Sequence, residues 1–97
     1  MNYNQYLLFK LAEECNEIAQ MAIKTALFGE NSVDPREDTG ETNMEKLSRE
    51  LLDVSAVLDE LNRDGPFTDC DWNEDYVESK RYKLRQYFNN SVSKEYN

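Results

Sequence analysis

The stretch Lys10–Ala22, KLAEECNEIAQMA, repeats its pattern 36 residues later in Lys46–Leu58, KLSRELLDVSAVL. At that offset Lys10 falls on Lys46, Leu11 on Leu47, Glu14 on Glu50, Glu17 on Asp53, Ile18 on Val54 and Met21 on Val57. Each stretch reads as an amphipathic helix, because its apolar residues return every three or four positions. Leu8, Leu11, Cys15, Ile18 and Ala22 form one stripe, and Leu47, Leu51, Val54 and Leu58 form the other. The pairs Glu14/Glu17 and Glu50/Asp53 lie at the edges of these stripes. Residues three apart on a helix start roughly 5–6 Å from each other, so each pair converges on one spot. Packed antiparallel along their seams, the two helices bring four carboxylates around one small volume. The repeat therefore predicts an all-α fold built on an antiparallel helical hairpin.

Carboxylates gathered so closely raise one another's pKa and need an offsetting charge. A hard divalent cation supplies it, since Mg²⁺ takes oxygen ligands and keeps some of its waters. The chain has no histidine and only two cysteines, which excludes a zinc site built on imidazole or on a cysteine cluster. It also leaves Cys15 without a histidine to activate it as a nucleophile. The same acids at the same spacing suit an ordinary solvated helix face. Glu13, which points away from the stripe, reads that way.

Local signals divide the 97 residues into one domain, 1–97, with three helices. The first runs from about residue 4 to 28, capped by Asn2 or Asn4 and stopped at Gly29. Residues 29–42, with Pro35 and Gly40, form a loop. It is either a mobile tip or a flap that carries Arg36 to a phosphate or base. Thr42 with Glu45 makes a capping box, with Asn43 as a competing cap, and opens a helix over 43–63. Asp64-Gly65-Pro66 ends that helix. Asp71 with Glu74 opens a third over 72–88, and the tail 89–97 is expected to fray.

The chain carries 11 basic and 20 acidic residues, a formal net charge of −9. That argues against a nucleic-acid surface and against adhesion to an anionic membrane. No apolar run approaches the ~20 residues that span a bilayer. The N-terminus lacks the pattern of a secretory signal, so a cytoplasmic location is expected. A Cys15–Cys70 disulfide is compatible with the sequence, and two free thiols are the plainer reading. Only 39% of residues are hydrophobic, and Ala12, Ala19, Ala22 and Ala26 are expected on the inner face of the first helix. A chain of this size buries little alone, so a homodimer or homotetramer completing a four-helix-type bundle is expected.

Glu13-Glu14-Cys15-Asn16-Glu17 resembles the EExxE signature, and Glu50-Leu51-Leu52-Asp53 the ExxD signature, of the MazG-like all-α nucleoside triphosphate pyrophosphohydrolases. The likeness spans roughly Leu7 to Leu61, with Asn16 where the family often has a small residue. It implies that Glu14, Glu17, Glu50 and Asp53 bind Mg²⁺, with Mn²⁺ able to replace it. The same four residues would serve catalysis, cleaving a (d)NTP to the monophosphate and pyrophosphate. It also implies a phosphate-clamping lysine on the third helix, matched by Lys80 and next by Lys83. The run Lys80, Arg81, Lys83, Arg85 equally suits the negative end of a helix dipole. Lys10 either turns toward the acidic centre and the substrate or pairs with Glu14, as Lys46 would with Glu50. Tyr3, Tyr6 and Phe9 either wall a base pocket or serve as core. The alternative to an enzyme is a non-catalytic acidic helical module that binds nucleotide or protein.

Overall fold

The computed structural model describes residues 1–63 and 73–96, the last five of them as helical backbone only. Within these the chain is all-α: α1 spans Tyr3–Phe28, α2 Asn43–Arg63 and α3 Glu74–Tyr96. One antiparallel bridge, Val33 to Thr42, is the extent of β pairing among the described residues.

Each helix starts on a side-chain cap. Asn2 Oδ1 accepts the Gln5 N–H at 2.8 Å and Gln5 Oε1 accepts the Asn2 N–H at 2.9 Å, a reciprocal box that settles the choice between Asn2 and Asn4. Thr42 Oγ1 accepts the Glu45 N–H at 3.2 Å, and its hydroxyl donates to Glu45 Oε1 at 3.0 Å. The cap of α3 is Asn73, whose Oδ1 accepts the Tyr76 N–H at 3.0 Å. The expected start at Asp71 and stop at Asp64-Gly65-Pro66 lie outside the described residues. Gly29 closes α1 at φ 102°, a conformation open to glycine, with its N–H donating to Thr25 O at 2.9 Å.

One helix end departs from expectation. α3 continues through Tyr96 and absorbs most of the tail expected to fray. No glycine or proline follows Asn73, so nothing local stops the helix. Pairs one turn apart, such as Arg81 with Glu78 and Gln86 with Tyr82, support it without a core face.

The helices α1 and α2 pack on each other, and α3 packs on neither among the described residues. The radius of gyration, 17.3 Å, accordingly exceeds the roughly 12–13 Å of a compact chain this long. The hairpin is antiparallel: Tyr3 meets Glu60, Glu14 meets Glu50, and Gly29 meets Asn43. Its seam shares Leu11, Ile18, Leu47 and Val54 with the expected stripes and exchanges their other members for neighbouring positions. On α1 the buried and half-buried residues include Leu7, Leu11, Glu14, Ile18, Met21 and Thr25, with Lys10 and Lys24 half-buried beside them; on α2 they include Asn43, Leu47, Glu50, Val54, Val57 and Leu61. Both sets step alternately by four and three, the spacing of a coiled-coil seam. Leu8, Cys15, Leu51 and Leu58 are exposed instead, and so are Ala12, Ala19, Ala22 and Ala26, expected on the inner face. Placing the acids at the edge turns the stripe by roughly 50–60°, about half of one residue's 100° step; Glu14 and Glu50 are themselves seam residues.

The loop 29–42 is tethered, unlike the free tip the sequence suggests. Asn43 N–H donates to Ser32 O at 2.8 Å and Met44 N–H to Glu30 O at 3.0 Å. Buried Asp34 accepts Arg36 Nε and Nη2, the Arg36 N–H, and Lys24 Nζ, all at 2.9–3.0 Å. Those bonds, Arg36's foremost, hold its carboxyl far below the ordinary carboxylate range. Buried Lys46 pairs with Glu37 and not with Glu50 as expected from helical spacing. Arg36 is thus engaged within the loop.

Asn43 locks this end. It is 1% exposed, and its Nδ2 donates to Gly29 O at 3.1 Å across the hairpin. Replacing it with alanine improves helix propensity but removes the side-chain bond across the hairpin, leaving Gly29 O to the Ser32 N–H at 3.3 Å. Asn43→Ala should therefore lower unfolding free energy by about 0.5–1.5 kcal/mol, read from urea denaturation. A loss near zero would show that the bond does not hold the hairpin.

Candidate metal centre

The heptad step puts Glu14 between Leu11 and Ile18 on α1, and Glu50 between Leu47 and Val54 on α2. Because the helices run antiparallel with the seams in contact, these two acids face each other midway along the hairpin. Asp53 follows one turn after Glu50, on the exposed rim. One carboxylate oxygen from each of Glu14, Glu50 and Asp53 lies within 4.8 Å of the other two. Glu17, one turn after Glu14, stands beside them. Its charge is among the causes that raise Glu14 and Glu50.

Burial raises the pKa of Glu14 above the ordinary range, and the charges of Glu17 and then Asp53 add to it. Burial likewise comes first for Glu50, followed by its hydrogen bond to Glu17 and the neighbouring charges. Glu14 Oε2 and Glu50 Oε2 are enclosed and accept no hydrogen bond. Among the described residues no lysine or arginine forms an ion pair with Glu14, Glu17, Glu50 or Asp53. Buried acceptors normally find partners, so two residues with orphaned oxygens, each with a carboxylate oxygen within 4.8 Å of a third carboxylate, form a donor set suited to an oxygen-seeking cation. The cluster contains no nitrogen or sulfur ligand.

The basic residues read from the sequence are placed elsewhere. Lys10 donates to Glu13 at 3.0 Å and sits 5.9 Å from the Tyr6 ring centroid, in place of the expected pairing with Glu14. Glu13 points away from the seam, as its position on the helix predicts. Lys80 and Lys83 are exposed on α3, which leaves them apart from the carboxylates within one chain. Tyr3 and Tyr6 stack at 6.2 Å beside the first turn of α1, and Phe9 is exposed. Cys15 is an exposed free thiol; Cys70 lies outside the described residues. Sequence reading missed Asn43 as a buried polar residue of the seam and Lys46 as a buried cation beside it. Continuing the four-three step to the start of α2 identifies the former.

Compared with family models, curated proteins and solved structures, the chain matches none.

The raised pKa values carry a consequence for stability. Above the ordinary carboxylate range the folded chain holds protons on Glu14 and Glu50 that the unfolded chain has released. Stability of the metal-free chain therefore falls as pH rises through that window. Asp34 and Glu37, both shifted downward, act at lower pH, where their stabilisation is lost on acidification. In EDTA, Glu50→Gln should melt at a higher temperature than the parent near neutrality. The difference should shrink as pH drops toward about 4.5. Equal melting curves at all pH would mean the four acids do not interact.

Proposed function

We propose that this chain is a Mg²⁺-dependent nucleotide pyrophosphohydrolase that cleaves a (d)NTP to the (d)NMP and pyrophosphate. The observation that carries the reading is the convergence of Glu14, Glu50 and Asp53 oxygens within 4.8 Å, two of the residues with enclosed, unpartnered oxygens. Glu14, Glu17, Glu50 and Asp53 would hold Mg²⁺, or Mn²⁺ in its place. The ion, once bound, supplies charge neutralisation for phosphate oxygens and a more acidic water. The residues themselves contribute order and proton handling. Glu14 and Glu50 are fixed by the seam, so their oxygens need no reorganisation. Asp53 and Glu17, at the exposed rim, are positioned to accept a proton from water approaching a phosphorus. The motif order EExxE then ExxD supports the same assignment.

The reading includes a homodimer or homotetramer, in the cytoplasm. Leu8, Ala12, Cys15, Ala19, Ala22 and Ala26 make a second four-three stripe on α1, and all are exposed. Met44, Leu51 and Leu58 are exposed alongside on α2. Small residues on one helix and leucines on the other form a face that a second hairpin fits, completing four helices. Lys80 and Lys83 would then meet phosphate from the assembled bundle, and Lys10 from the first turns of α1.

Purified protein incubated with a panel of NTPs and dNTPs and Mg²⁺ should release monophosphate and pyrophosphate. Glu50→Gln should reduce turnover by about 100-fold or more while the protein stays folded. Absence of product from every nucleotide, or full turnover by the variant, overturns the proposal. Nucleotide binding without product would favour the non-catalytic module.

A further inference from the structure

Each of the three converging acids has a cation one turn before it on its own helix. Lys10 stands four residues ahead of Glu14, Lys46 four ahead of Glu50, and Arg49 four ahead of Asp53. Side chains at that spacing are neighbours, and opposite charges there attract. Yet none of the three makes the pair. Lys10 Nζ lies 3.0 Å from Glu13, Lys46 Nζ is bonded to Glu37, and Arg49 Nη1 lies 3.0 Å from Glu41. Every acid that takes one of these cations lies outside the converging set, and Glu37 and Glu41 belong to the loop.

The loop's fastening explains where Lys46 goes. Asp34 is tied to α1 through Lys24 at 3.0 Å, and its carbonyl accepts the Glu37 N–H at 3.1 Å. That turn brings the Glu37 carboxylate to Lys46 on α2. The bond from Lys46 holds the Glu37 carboxyl below its ordinary range, so Glu37 stays charged. The bridge between Val33 and Thr42 keeps the Glu41 stretch against the start of α2. An ammonium seated on Glu50, or a guanidinium on Asp53, would take up lone pairs that a metal ion needs and cancel charge that attracts it. We propose that Glu37 and Glu41 are positioning residues that hold Lys46 and Arg49 away from Glu50 and Asp53, so that attachment of the loop sets how strongly the carboxylates bind a divalent cation. The diversion stands on the ion pairs; its effect on affinity rests on the metal reading proposed above.

The test counts free Mn²⁺ by its paramagnetic resonance signal as the full chain is added. Glu37→Gln should bind Mn²⁺ several-fold to about tenfold more weakly than the parent. Glu41→Gln should lose less, because Arg49 is half in water. Asp38→Asn removes the same charge beside Glu37 from an exposed residue and should match the parent. Lys46→Met added to Glu37→Gln should restore parent affinity, which it would not do if glutamine merely loosened the loop. In EDTA, nuclear Overhauser contacts between the Lys46 ε-methylene and the Glu50 γ-protons should be stronger in Glu37→Gln than in the parent. Parent affinity in Glu37→Gln, an equal loss in Asp38→Asn, or a loss that Lys46→Met leaves in place overturns the proposal. A parent chain that takes up no Mn²⁺ overturns the metal reading instead. The contacts in EDTA then decide the diversion, and contacts unchanged by Glu37→Gln overturn it.

Discussion

Two glutamates sit where a coiled-coil seam would place leucines. Glu14 and Glu50 occupy mid-seam positions of an antiparallel hairpin and face each other. Taking carboxylates out of water costs free energy, and doing so side by side costs more. A hairpin left to itself would open there. This one is fastened on both sides of the acids. At one end Leu7 and Leu61 are buried and the Tyr3 hydroxyl donates to Glu60 at 3.1 Å. At the other, Asn43 ties α2 to the end of α1, and two ion pairs secure the loop. The ends hold the middle in a geometry it would not choose, which is the usual relation between a site and its scaffold.

The distribution of positive charge follows the same division. Lys24, Arg36, Lys46 and Arg49 all pair with acids of the loop, namely Asp34, Glu37 and Glu41. Lys10, the cation next to Glu14 in the helix, is drawn to Glu13. An ordinary salt-bridged bundle would spread these cations along the seam. Here they gather at the closed end, and the mid-seam acids keep their mutual repulsion. Burial first, and that repulsion after it, raises Glu14 and Glu50, and a divalent cation would relieve both, so the cost in stability and the capacity to bind metal share their origin.

Much of this was legible in the sequence. The matched pattern around Glu14 and Glu50 located two helices, their antiparallel packing and four acids, of which Glu14, Glu50 and Asp53 converge within 4.8 Å. Caps at Thr42 and Gly29 followed from local chemistry alone. The seam was misplaced by roughly 50–60° because hydrophobicity was used to find it. Leu8 and Leu51 are more apolar than Glu14 and Glu50, yet they lie outside and the acids inside. Periodicity carries no information about which of two adjacent stripes faces the partner when both contain apolar residues. The loop's tethering was illegible for a different reason: Asp34–Lys24 and Glu37–Lys46 join residues nine and ten apart, across a chain reversal no helical spacing describes. The helical tail of α3 was missed because it lacks a stripe, and a helix without a stripe owes its form to propensity and capping.

The two stripes on α1 have opposite characters, and that contrast bears on assembly. The inner one, Leu7 to Thr25, is bulky and interrupted by an acid. The outer one, Leu8 to Ala26, is mostly alanine and uninterrupted. Alanines give little area to bury within a monomer but allow close approach of another helix, and Leu51 and Leu58 lie on the same exposed side of the hairpin. Among the described residues only Leu7 and Leu61 are buried hydrophobics. One hairpin therefore leaves most of its apolar surface in water, and α3, with Tyr76, Leu84 and Phe88 exposed, leaves more. On the proposed reading these surfaces have one use. Packing two hairpins on their outer stripes would bury the alanines and leucines while keeping each acid-bearing inner seam intact. The gain at the outer face would then offset the penalty of the charged inner one, which a single chain has too little core to bear.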